Sequence, residues 1–412
     1  MQTRSRFLLG SLAGLTIAAR TDDFFARALA QAPLPQSTSK STVAGEERVL
    51  VLINLQGGND GLNTVVPYAM PQYYQYRPTL AIAQNDVLRL NDEVGFNPAL
   101  KPLKAMFDKQ QVAVIQGVGY PKPDHSHFRS QEIWQTADPE GYSSTGWLGR
   151  YLDAASAPAA NLFEAVALSP VLPEAFGSRK IDVPAIDGNL RGYGLTSDRR
   201  KGGEEAFRSM VTDTRMPFTS PYLAKVTEIE ANAQKGSEEL PKLVAGYTTG
   251  AQYPATNLGR SLALAAQMIG SNLGTRVIYA AHGSFDTHTY QKETQDRLLG
   301  QFADAVSAFY GDLAAHGNDR RVLTMTFSEF GRRVAENASR GTDHGEAAPL
   351  FRIGRSVKGG VYARHPTRDN LDAGDVIYTT DFRTVYSTVV ERWLGYPASG
   401  VIAGNWQTIP AV

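Results

Sequence analysis

Val49-Leu50-Val51-Leu52-Ile53, closed by Gly57-Gly58-Asn59-Asp60-Gly61, is the segment on which the fold turns. Short, apolar throughout and rich in β-branched residues, the run reads as a strand buried on both faces that ends in a tight glycine-rich loop. A strand covered on both faces belongs in a parallel sheet. The same reading gives strands at 112–116, 163–168, 276–280 and 322–327. Helical patterns lie between them at 127–136, 257–272 and 290–315, the last with apolar residues at Leu298, Leu299, Phe302, Val306, Phe309 and Leu313. Strands alternating with long helices predict a doubly wound α/β fold, mostly parallel with helices on both faces, whose ligands bind beyond the C-terminal strand ends.

Outward from this centre, 47–412 reads as one domain. A cap or insertion is expected at 176–256, which holds the charged run from Ser197 to Glu205 and an amphipathic helix near 221–234. Residues 1–32 place Arg4 and Arg6 before an apolar run from Phe7 to Ala19 and small-residue sites at Ala28-Leu29-Ala30 and Ala30-Gln31-Ala32. That is the layout of an export signal peptide, with an apolar run shorter than the ~20 residues a membrane-spanning helix needs. Arg6-Phe7-Leu8-Leu9-Gly10 is similar to the tail of a twin-arginine signal, although Ser5 splits the arginine pair. Residues 33–46, rich in Pro, Ser and Thr, read as a flexible leader. The expected location is periplasmic or extracellular, with the export machinery as one partner and no integral membrane segment in the mature chain.

Composition removes several classes. Lys plus Arg and Asp plus Glu balance at 41 each, so the electrostatic footprint of a nucleic-acid binder is missing. With 0 Cys there is no disulfide, thiol nucleophile or Cys-bound zinc, and any metal must take oxygen and imidazole ligands. The 42% hydrophobic and 20% charged content is that of a globular chain able to bury a core.

Four motifs follow predicted strands. Gln56-Gly57-Gly58-Asn59-Asp60-Gly61 offers one carboxylate in a turn. Asp124-His125-Ser126-His127-Phe128-Arg129-Ser130 stands at a helix start. There a Ser is either an N-cap or a nucleophile placed where the helix dipole favours an anion. His282-Gly283-Ser284-Phe285-Asp286-Thr287-His288 places Asp286 and His288 on one side of an extended segment. Gly341-Thr342-Asp343-His344-Gly345 gives two adjacent ligand types bracketed by Gly. Of 7 His, those at 125, 127, 282, 288 and 344 lie in these motifs. Three Asp and two His (Asp60, Asp286, His288, Asp343 and His344) fit a two-metal oxygen and nitrogen site for Zn, Mn or Mg, suited to in-line displacement at phosphate or sulfate esters.

These motifs, with Leu55 to Asn63, Ser328-Glu329-Phe330-Gly331-Arg332 and Thr380-Asp381-Phe382-Arg383, resemble in order the bacterial family called domain of unknown function 1501, across essentially all of 1–396. That family is similar to the alkaline phosphatase and sulfatase superfamily. The resemblance implies one metal held by Asp60, Asp343 and His344 with Ser126 as bridging nucleophile, and another by Asp286 and His288. His127 and Arg129, from the richest His and Arg cluster of the chain, are read with Ser126 as the candidate catalytic group. A further His near the C-terminus, common in the superfamily, has no clear match; His282, His365 and Asp381 are the candidates. The sulfatase signature, Pro two and Arg four residues after the modified residue, is absent, because Ser126 is followed by His127, Phe128, Arg129 and Ser130. A formylglycine sulfatase is therefore not expected. The leading expectation is an exported metal-dependent hydrolase of phosphate, phosphodiester or related esters on a small-molecule or glycan substrate. The other is a non-catalytic secreted binding or structural protein, and a transferase using the same covalent intermediate is the third.

Overall fold

The computed structural model describes residues 48–156, 161–188, 236, 239–365, 371, 372 and 374–411. The export signal, the leader and the amphipathic helix near 221–234 lie outside the described residues, as does much of the expected cap. Among the described residues no helix is long and apolar enough to cross a membrane.

The opening run forms β1 (Val49–Leu55), every residue of which is buried. It is followed by β2 (Val112–Gly119), β3 (Ala165–Leu168), β4 (Val277–His282), β5 (Val322–Phe327), β6 (Ala348–Ile353), β7 (Gly360–Tyr362) and β8 (Thr380–Asp381). The sheet runs β7-β2-β6-β5-β1-β4-β3, with β8 beside the far end of β2. β1 sits between β4 and β5 and is parallel to both, with Leu50 opposite Val277 and Val49 opposite Val322. Only β6 is reversed, antiparallel to β2 and β5. Strand alternation then sorts the core. Val49, Val51, Ile53 and Leu55 face one apolar layer with α1 (Lys101–Asp108), α4 (Asn257–Gly270) and α5 (Gln291–Ala315). Leu50 and Leu52 face the other, with α2 (His127–Thr136), α3 (Trp147–Ala155) and α6 (Phe382–Thr388). The sheet is thus mostly parallel with helices on both faces, as the sequence predicts.

The one reversed strand matters for function. β1, β4 and β5 deliver their following loops to a single edge of the sheet, and because β6 runs the other way, the loop that enters it (341–347) arrives at that edge too. Residues 120–126, after β2, lead to the start of α2 there. All four sequence motifs therefore reach the carboxyl edge, and the loops meet tightly. Gly57 has φ +112°, and a Cβ there would fall 2.5 Å from the main-chain nitrogen of Asp286. A Cβ at Gly341 would fall 2.1 Å from the carbonyl carbon of His288. Neither position admits a side chain.

Candidate metal centre

Asp286 is the centre of the arrangement. Its Oδ1 lies 3.0 Å from His288 Nε2, 3.2 Å from His344 Nε2 and 2.7 Å from Arg332 Nη2. Its Oδ2 lies 3.3 Å from His127 Nε2. The two nitrogens His288 Nε2 and His344 Nε2 face one another at 2.9 Å. Phe330 packs on the His344 and His127 rings at 4.4 and 4.9 Å between centroids and keeps them in place.

The other ring nitrogens decide what this means. His127 Nδ1 meets Glu329 Oε1 at 2.8 Å, His288 Nδ1 meets Asp343 Oδ1 at 3.3 Å, and His344 Nδ1 meets the main-chain oxygen of His125 at 2.7 Å. A carboxylate or carbonyl oxygen only accepts, so in the tautomer that serves these contacts each Nδ1–H donates. In the neutral ring each Nε2 then carries a lone pair. Three such lone pairs converge on one carboxylate, and groups that all offer electron pairs repel unless a cation or proton sits among them. An imidazole whose far N–H is held by a carboxylate or carbonyl is the usual form of a metal-ligating histidine.

The charge states fit. Burial opposes the charge on Asp286, yet the Arg332 hydrogen bond, the His344 ring beside it and the nearby cations hold its pKa down to about 2. Glu329 is also held below the usual carboxylate range, because hydrogen bonds from His127 and main-chain amides outweigh its burial. The Glu329 hydrogen bond raises the His127 pKa against the effect of burial, whereas burial lowers that of His344. The carboxylates around His127 thus favour positive charge there, whether as a proton on the ring or as a bound cation.

Not every expected ligand is brought in. Asp60 is fully buried and capped by donors: Oδ1 accepts from the amides of Leu62 and Asn63 (3.1 and 3.4 Å), and Oδ2 from Arg77 Nη1 at 2.5 Å and from the Gln291 side chain. Asp343 stands behind His288, sharing its Oδ1 with Asn337 Nδ2 at 3.2 Å. His282 donates Nε2–H to the Leu298 carbonyl at 2.8 Å. Asp381 caps α6 and pairs with Arg383 at 2.7 Å. His365 lines a small cavity with Gly61, Gln116 and Arg332.

Around the expected nucleophile, Ser126 is exposed, and its side chain makes no cap hydrogen bond to α2. Ser130 is buried, with its hydroxyl donating to the Asp124 carbonyl at 2.5 Å and lying 3.0 Å from Tyr120 Oη. Arg129 is tied to the Gly141 carbonyl (2.6 Å) and to Glu132 (2.9 Å), with its guanidinium over the Tyr142 ring. Two residues with no role assigned from sequence take the closest supporting positions. Glu329 sets the His127 tautomer, and Arg332, 1% exposed, donates to the carbonyls of Gly57, Gly58, Phe285 and Thr342 as well as to Asp286. Their signal was in the sequence: Ser328 to Arg332 directly follows a buried strand, as the other motifs do.

A mostly parallel α/β sheet carrying three imidazoles and a carboxylate at its carboxyl edge defines an α/β protein with a nitrogen and oxygen donor set. Residues 116–389 match the family described as "Protein of unknown function (DUF1501)", and with more than half of its length matched the chain belongs to that family. No curated protein matches the sequence. Among solved structures it is similar to the C-terminal periplasmic domain of EcEptC from Escherichia coli in complex with Zn. That match has 10% identity, covers 76% of this chain and 75% of that one, and gives a TM-score of 0.35. It is also similar to a protein in the alkaline phosphatase superfamily from Vibrio parahaemolyticus (10% identity, 76% and 62% covered, TM-score 0.34). A third is the phosphonate monoester hydrolase of Agrobacterium radiobacter (10% identity, 87% and 79% covered, TM-score 0.38). At these scores the likeness assigns no residue and no activity.

Proposed function

We propose that the chain is an exported, metal-dependent hydrolase of phosphate or related esters, with Asp286, His127, His288 and His344 holding a divalent cation and Ser126 as nucleophile. One observation carries the reading: three Nε2 atoms, each on a ring whose Nδ1 is held by an oxygen acceptor, face a single ionised carboxylate. A donor set dominated by imidazole suits Zn better than Mg. A cation bound there supplies Lewis-acid stabilisation of charge on the ester oxygens. The chain's own part is placement. Ser126 ends the loop before α2 with an uncommitted hydroxyl, beside His127, and the first amides of that helix lack partners within it, which favours an anionic group at the same point.

The test is hydrolysis of chromogenic phosphate monoesters and diesters and sulfate esters with Zn, Mn or Mg supplied. Ser126→Ala should lose turnover by several powers of ten. Ser130→Ala should keep turnover and lose ~1–3 kcal/mol of stability, because a buried hydroxyl-to-carbonyl bond goes with it. If Ser130→Ala is the dead variant, the nucleophile is wrongly assigned. A second reading, a secreted protein that binds an ion without turnover, is favoured by the closure of Asp60 behind Arg77; wild type inert towards every ester while retaining metal would support it.

A further inference from the structure

A second group of metal-capable side chains lies beside the first. His125, Glu346 and Asp375 each offer one ligand atom, and these atoms lie within 4.8 Å of one another. The three come from separate stretches: the residue before Ser126, the loop two residues past His344, and the short strand Asp375–Val376. They meet only because the chain folds as it does, so this is not a run of local acidic sequence. Asp375 is 2% exposed. His125 Nε2 lies 3.6 Å from one of its oxygens, and Arg333 Nε lies 3.4 Å from the other. A carboxylate so deeply placed requires positive charge or donors around it. One imidazole and two carboxylates, one of them buried, form an oxygen and nitrogen donor set of the kind that divalent ions accept.

The two groups are joined by one hydrogen bond. His344 Nδ1–H donates to the main-chain carbonyl of His125 at 2.7 Å. The residue whose ring faces the second group therefore also fixes, through its carbonyl, the tautomer of a histidine in the first. Glu346 follows His344 by two residues, so the same loop supplies a donor to each group.

We propose that His125, Glu346 and Asp375 form a second divalent-cation site, coupled to the Asp286 site through His125. The coupling rests on the metal reading given above for the Asp286 site, whereas the second site itself rests on its own residues. A cation on the His125 ring holds that residue in place and keeps its carbonyl aimed at His344. His344 then presents its Nε2 lone pair to the first ion. Coupling between binding sites is reciprocal, so each ion strengthens the other by the same factor.

The experiment counts ions and measures their affinities by calorimetric titration of the full mature chain with zinc, checked by elemental analysis. Wild type should bind two ions. Asp375→Asn and His125→Ala should each bind one, about five-fold or more weakly than the first site binds it in wild type. The His125 variant keeps its main-chain carbonyl and alters an exposed ring, so it guards against a folding defect in the Asp375 variant. His344→Ala should also bind one ion, in the second site, weakened by a similar factor. One ion in wild type that persists in Asp375→Asn and vanishes in His344→Ala overturns the second site and leaves the first standing. One ion that vanishes in Asp375→Asn and persists in His344→Ala does the reverse. Two ions in Asp375→Asn refute the assigned ligands, none in wild type refutes both sites, and an unchanged affinity for the remaining ion refutes the coupling.

Discussion

Asp60 and Asp286 both follow buried strands of the same sheet, both sit in glycine-bearing loops, and from sequence both were expected to hold metal. Their surroundings are opposite. Asp60 is enclosed by donors: two amides, a buried guanidinium and a glutamine side chain. Asp286 has one guanidinium and otherwise faces three imidazole nitrogens of rings held from their far side. A carboxylate with its lone pairs matched by N–H groups is a structural anchor. One placed among other lone pairs is open to a cation. Residue type and position relative to a strand cannot separate the two cases, because the deciding partners lie outside the motif itself: Arg77 and Gln291 for one, His127, Arg332 and His344 for the other.

That contrast breaks most visibly at Asp60. Asp60→Asn strips the counter-charge from a fully buried Arg77, which should cost ~3–5 kcal/mol of stability, read as a shift in the denaturation midpoint. Metal content should stay unchanged, and loss of metal at native stability would make Asp60 a ligand after all. Next in size is Glu329→Gln, which replaces the acceptor that fixes the His127 tautomer. Metal affinity should fall ~10–100-fold, as for other residues that orient ligand histidines; titration with zinc measures it, and an unchanged affinity would separate His127 from the metal. The smallest effect is expected at Asp343→Ala. Asp343 is exposed and stands behind His288, where Asn337 also reaches it. Affinity should fall several-fold, below the loss in Glu329→Gln, with a near-native far-UV spectrum, since surface substitutions usually change stability by no more than ~0.5 kcal/mol. Complete loss of metal in this variant would move Asp343 to direct ligation.

The parts of the fold carried by continuous apolar runs were legible. β1, β2, β4 and β5 fall where their β-branched runs do, and α2 spans 127–136 as its pattern predicts. β6 was missed because Ala348-Pro349-Leu350-Phe351-Arg352-Ile353 carries a Pro and an Arg inside a buried strand, which dilutes the apolar signal. α1, α3 and α6 are helices of 8, 9 and 7 residues, too short for an apolar repeat to establish itself. Of the residues singled out from motif position, Asp286, His288 and His344 are brought together, and His127, expected in a catalytic role, stands beside them. What could not be read was which nitrogen of each ring faces inward, since that depends on Glu329, Asp343 and the carbonyl of His125. The group at His125, Glu346 and Asp375 was invisible for the same reason: its members are separated by up to 250 positions.

The central place of β1 has a consequence for how the chain is made. It is the first strand of the described structure, yet its two neighbours begin at Val277 and Val322, and its opening residue is capped by Trp393, whose Nε1–H donates to the Val49 carbonyl at 3.0 Å. At a synthesis rate of ~5–20 residues per second, this largely apolar segment waits on the order of tens of seconds before its second flanking strand exists. Until then a strand that ends up buried on both faces is without its partners, the condition under which a nascent chain is exposed to aggregation.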